Sequence, residues 1–105
     1  GGAGAISVIG NLFPKLWKQM ITLALQGKWL EAERLNERLL PTVRAMFLET
    51  NPQCVKWMAE WLGLGEAHHR LPLLGIAEET KRTIKTKMLP LFLPHFSTGA
   101  RSNFR

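Results

Sequence analysis

Gly1–Asn11, reading GGAGAISVIGN, decides the fold. Within it, Ala5-Ile6-Ser7-Val8-Ile9 is short, β-branched and bounded by glycine and asparagine, which is the pattern of a strand. It is the only convincing run of that kind in the 105 residues; almost everything after it has helical spacing. A single strand cannot satisfy its own backbone N–H and C=O groups, and even two strands alone are marginal in water. The sequence therefore holds a strand whose sheet is missing. The expectation is a mostly α chain that is the tail end of a larger α/β protein, cut just before its last strand.

Working outward, Asn11 closes the strand and Pro14 suits the first turn of a helix, where its missing N–H costs nothing. Leu16, Trp17, Met20, Ile21, Ala24 and Leu25 form one apolar stripe, and Gly27 supplies a left-handed cap. A second helix starts near Lys28 or Trp29. Its stripe is Trp29, Ala32, Leu35, Leu39, Val43, Met46 and Phe47, and it is expected to run to Glu49 with a bend at Pro41. Asn51-Pro52 reads as a restart, with Asn as cap and Pro as first helical residue. The third helix turns Val55, Met58, Ala59 and Leu62 inward and ends at Gly63 and Gly65. Leu71-Pro72-Leu73-Leu74 reads as an extended apolar segment lying on the helices. A basic fourth helix is expected from Ala77 to Met88. The stretch 89–105, broken by Pro90 and Pro94 and ending in STGARSNFR, reads as a loop-like tail with a disordered end.

Composition bounds the function classes. Apolar content of 46% is ordinary for a globular chain. A net charge of +6, from fourteen Lys and Arg against eight Asp and Glu, suits an anionic partner, or reflects the local excess of a piece of a more neutral protein. One cysteine, Cys54, excludes an internal disulfide framework and fits a reducing compartment. No run approaches the ~18 apolar residues of a membrane span. Gly1–Gly10 carries no basic segment of the kind that opens a secretory leader.

The search for chemistry is short. Adjacent side chains such as His68 and His69 rarely point to one metal, and only Glu66 lies beside them, so a solvated loop is the better reading. Cys54 falls in the first turn of a helix, where the dipole favours a thiolate, but a small buried residue is the simpler role. Trp17, Trp29, Trp57 and Trp61 lie on helical stripes and read as core or interface. Gly1-Gly2-Ala3-Gly4 precedes a strand, whereas a phosphate loop follows one and opens a helix. No lysine falls at a strand end, where a Schiff-base lysine would sit with a depressed pKa. Nothing supports self-contained catalysis. No metal, cofactor, nucleic acid or membrane is called for.

Several clusters nevertheless resemble one family. They are Gly4-Ala5-Ile6-Ser7-Val8 with Asn11, Gly27 with Glu31, Ala32, Arg34 and Leu40-Pro41, Phe47 with Asn51-Pro52 and Val55-Lys56-Trp57, Leu62-Gly63-Leu64, and Arg70-Leu71-Pro72-Leu73. In that order, over roughly residues 1–88, they resemble the C-terminal third of dihydrodipicolinate synthases, within the wider pyruvate-dependent aldolase superfamily.

The resemblance implies a (β/α)₈ TIM barrel with a helical appendage. Residues 1–27 would be its eighth strand and helix, 28–88 the appendage, and 89–105 an atypical tail. It implies a cytoplasmic lyase of lysine biosynthesis that joins pyruvate, held as a lysine Schiff base, to aspartate semialdehyde. A homo-oligomer, commonly a tetramer, is implied as well. Ile6 matches the family isoleucine that lines the pocket beside the keto acid, with Gly4 leaving room for it. The segments holding the Schiff-base lysine, the tyrosine, the threonine pair and the carboxylate-binding arginine have no counterpart here, so no catalytic residue is expected in this chain. Cys54 stands where the family often has a second proline, and 89–105 does not resemble the family ending. The alternative from another class is a small basic helical binding module for an acidic partner or nucleic acid. Its basic residues, however, do not alternate with exposed aromatics.

Overall fold

The structure, a computed structural model, describes residues 2–96. A 3-10 turn at Ile9–Asn11 leads into four helices: α1 (Pro14–Leu25), α2 (Trp29–Ala45), α3 (Gln53–Trp61) and α4 (Glu78–Phe96). There is no strand among the described residues, which corrects the reading of Ala5–Ile9. Extended pairing needs a neighbouring edge, and no described segment offers one. The chain satisfies itself locally instead. Asn11 N–H donates to the Val8 carbonyl (3.1 Å) and Phe13 N–H to the Ile9 carbonyl (2.8 Å). Ile9, Leu12 and Phe13 are buried, which pins this turn to the helices.

The helix ends follow the glycines. Gly27 (φ 74°) and Gly63 (φ 72°) occupy the left-handed region. Lys28 N–H reaches back to the Leu23 carbonyl and Leu64 N–H to the Ala59 carbonyl, both at 2.9 Å. Those are the six-to-one bonds of Schellman caps, so α1 and α3 stop where glycine lets the chain turn. Pro41 lies inside α2 and is exposed. The helix passes through it but ends at Ala45, four residues before the expected end at Glu49. At the start of α3 the expected cap is displaced: Pro52, after a cis Asn51-Pro52 bond, occupies the cap position and Gln53 is the first helical residue.

α4 differs most from expectation. Ala77 has no capping side chain, and its N–H is taken by Glu49 Oε1 at 2.9 Å, from the connection after α2. From there α4 runs antiparallel to α2, with Thr42 Oγ1 donating to the Lys87 carbonyl (3.5 Å). It continues through Pro90 to Phe96 rather than stopping at Met88. Ile84, Met88 and Leu91 are all buried and recur at i, i+4 and i+7, so burial carries the helix past the proline. The loop-like tail expected over residues 89–105 is thus corrected over 89–96, which are helical, and its remainder, 97–105, lies outside the described residues.

Leu39, Met46, Cys54, Met58, Ile84 and Met88 form the centre of the core. Gln53, itself buried, donates through Nε2 to the Leu74 carbonyl (2.7 Å) and holds the 71–76 connection to α3. Only Leu73 and Ile76 of that connection turn inward; Leu71 and Leu74 are exposed, against the expectation that the whole segment lies on the helices. Trp57 and Trp61 stack with centroids 6.0 Å apart and planes 8° apart. Lys85 of α4 places Nζ 5.8 and 5.9 Å from the two rings, a cation–π tie between α3 and α4.

Met58→Ala is expected to cost about 2–5 kcal/mol, since it opens a cavity at a fully buried site; a thermal melt followed by circular dichroism should show a large drop in Tm. Lys85→Met keeps the length of the stem and should cost only about 0.5–1 kcal/mol, while changing tryptophan emission. An unchanged emission spectrum would show that the ammonium does not sit over the rings.

Candidate functional site

Gly4 and Ile6 lie at the open N-terminal end of the described chain. Gly4 has nothing within 4 Å of the position a Cβ would take. Ile6 is 108% exposed, as free as in an isolated peptide. The two are thus beside each other in sequence, but no described group encloses them. The structure holds the chain immediately after them: Ser7 Oγ accepts from Gly10 N–H (3.1 Å), and Asn11 Nδ2 donates to the Val8 carbonyl (3.1 Å). This clasp occupies the Ser7 hydroxyl as an acceptor. The end offers an apolar side chain and a space beside a glycine, which can line a pocket but cannot move a proton.

Other candidate groups separate in the same way. Glu66 and His68 pair at 2.6 Å, with both side chains exposed. Their loop is tied down by Lys56 Nζ donating to the His68 carbonyl and by Ala67 N–H donating to Glu60 Oε1. No group of three metal-ligating side chains occurs among the described residues. Cys54 is fully buried, and loss of solvation pushes its thiol up, away from the thiolate a nucleophile needs. On α4, Lys81 pairs with Glu78 at 2.6 Å and holds that carboxyl below its usual range, while Arg82 and Lys87 are exposed. No helix of the described residues is long and apolar enough to cross a membrane.

What the sequence reading missed is an open apolar surface. α1 has no buried residue despite its stripe. Ile21, Leu25 and Trp29 are exposed, Trp29 by 69%, and a shallow groove between α1 and α2 runs over Met20, Ile21, Ala24, Trp29 and Ala32 to Glu33 and Asn36. Trp29 and Phe47, assigned to the buried stripe of α2, are corrected to surface positions. The signal was present in the sequence: six apolar residues on a twelve-residue helix make a stripe wider than one neighbouring helix covers.

Known proteins share this arrangement. Residues 1–89 match the dihydrodipicolinate synthetase family. The 4-hydroxy-tetrahydrodipicolinate synthase of Cellvibrio japonicus is 46% identical over 88 residues, covering 84% of this chain and 30% of the relative. The solved 4-hydroxy-tetrahydrodipicolinate synthase of Methylacidiphilum fumariolicum superposes with a TM-score of 0.82 at 36% identity, over 86% of this chain and 30% of that one. The chloride-inhibited dihydrodipicolinate synthase of Acinetobacter baumannii, solved with pyruvate, gives a TM-score of 0.81 at 30% identity, over 86% of this chain and 31% of that one. The chain thus spans about three tenths of the length of these relatives. With the family match spanning residues 1–89, the chain belongs to the dihydrodipicolinate synthetase family.

Proposed function

We propose that this chain is the C-terminal part of a dihydrodipicolinate synthase-like lyase, in which pyruvate, bound as a lysine imine, condenses with aspartate semialdehyde. The 46% identity to the Cellvibrio japonicus synthase, over 88 residues and 30% of its length, carries this reading. Residues 1–27 supply the last strand and helix of the barrel and 28–88 its helical appendage, with 89–105 as an atypical tail. Active sites of such barrels lie at the C-terminal ends of the strands. Gly4 and Ile6 fall on the closing strand, where Ile6 lines the keto-acid pocket and Gly4 leaves space beside it. The lysine, tyrosine, threonine pair and arginine of the reaction belong to the portion of the enzyme this chain does not match. The intact enzyme is a cytoplasmic homo-oligomer, with no role for nucleic acid or membrane.

The 105-residue chain is inert by itself on this account. Its lysines lie on helices or at their ends, and none among the described residues sits at a strand end of the kind that holds a Schiff-base lysine. Incubation with pyruvate and borohydride should leave its intact mass unchanged, and a reduced adduct on any lysine overturns the claim. A chimera carrying residues 1–88 in place of the matching segment of the Cellvibrio japonicus synthase supplies the positive arm. It should form the adduct and turn over substrate. Ile6→Asp in that chimera should raise the KM for pyruvate about tenfold or more, because it sets a like charge against the keto acid's carboxylate. An unchanged KM removes Ile6 from the pocket.

A further inference from the structure

We infer that Lys85 is a charge-dependent clasp between α3 and α4, and that acylation of its Nζ by an acyl phosphate opens it.

The ammonium has no carboxylate to pair with one turn away on its own helix. The residues three and four positions from it along α4 are Lys81, Arg82, Met88 and Leu89, two of them of like charge. Repelled there, Nζ lies over α3 instead, 5.8 Å from the centre of the Trp57 ring and 5.9 Å from that of Trp61. The rings are parallel to within 8°, so one charge serves both. Lys81 differs, because its own ammonium is engaged by Glu78 at 2.6 Å.

What the clasp holds is the outer face of α3. The inner face is fixed by Cys54 and Met58 in the core. The outer side and last turn carry the connection that follows: Glu60 Oε1 accepts from Ala67 N–H at 3.1 Å, and Leu64 N–H reaches the Ala59 carbonyl at 2.9 Å. Loosening this turn loosens the connection with it, while the core stays closed. Lys85 is exposed, so a small reagent reaches it. In the step proposed, its unprotonated nitrogen attacks the carbonyl carbon of the acyl phosphate. The C–N bond forms, the C–O bond to phosphate breaks, phosphate leaves with that electron pair, and the amine proton passes to solvent. The product is a neutral amide, which has lost the charge that the rings attract.

The test compares the full chain carrying an acetyl group on Lys85 Nζ with the chain acetylated on Lys87, which is exposed on the same helix. Acetylation at Lys85 should speed amide exchange over residues 59–64 and at 67 about two- to fivefold, as loss of one exposed cation–π contact implies. Acetylation at Lys87 should leave exchange there unchanged. Lys85→Arg keeps the charge and should exchange as the parent chain does. Equal exchange in the two acetylated chains overturns the clasp. So does a Lys85→Arg chain that exchanges as fast as the Lys85-acetylated one, since charge would then not be what holds α3. Incubation of the parent chain with acetyl phosphate tests the modification itself: peptide masses should show an acetyl group on Lys85, and a Lys85 that stays unmodified overturns that part of the inference.

Discussion

Backbone polar groups in an extended segment must be paired, and a lone strand has nothing to pair with. That constraint organises the whole chain. It explains why a run as strand-like as Ala5–Ile9 is irregular here and why its far end collapses into a 3-10 turn held by Ser7 and Asn11. It is also why the residue with the greatest exposure among the large apolar side chains, Ile6, sits at the point where a sheet would begin. The helices beyond this point close around their own core, because a helix satisfies its backbone internally and needs only one covered face. The outer face of α1 stays uncovered as the strand stays unformed: no described element packs against either.

Legibility followed the range of the interactions. α1 was readable to within a residue because both ends are local: Pro14 opens it, and the turn at Gly27 closes it, with Gly27 N–H donating to the Ala24 carbonyl and Lys28 N–H to the Leu23 carbonyl. The same holds for the end of α3 at Gly63. The start of α4 falls within one residue of the expected Ala77, although its cap, Glu49, comes from twenty-eight residues upstream. Two features depend on distant partners and were not readable. The end of α4 passes Pro90 because Leu91 finds a place in the core. The strand fails for want of an edge. Trp29 and Phe47 were placed inside by periodicity, which reports which side of a helix is apolar and not whether anything covers it.

The candidate site divides similarly. Cys54 and the His68–Glu66 pair have ordinary structural explanations in burial and a self-bonded surface loop. Gly4 and Ile6 are proposed as site residues on the resemblance of Gly4-Ala5-Ile6-Ser7-Val8 to a family strand alone, since neither residue carries chemistry that composition would flag. An isoleucine and a glycine become site residues only through the surface opposite them.

The account's central claim is that this sequence is one part of a larger barrel. The most direct measurement is the DNA sequence immediately upstream of the Gly1 codon. The account predicts an open reading frame that continues upstream through alternating strands and helices, with a lysine at the end of one strand. A stop codon, or a start codon directly before Gly1 with no such frame, would contradict it and leave a helical chain whose strand has no sheet of its own.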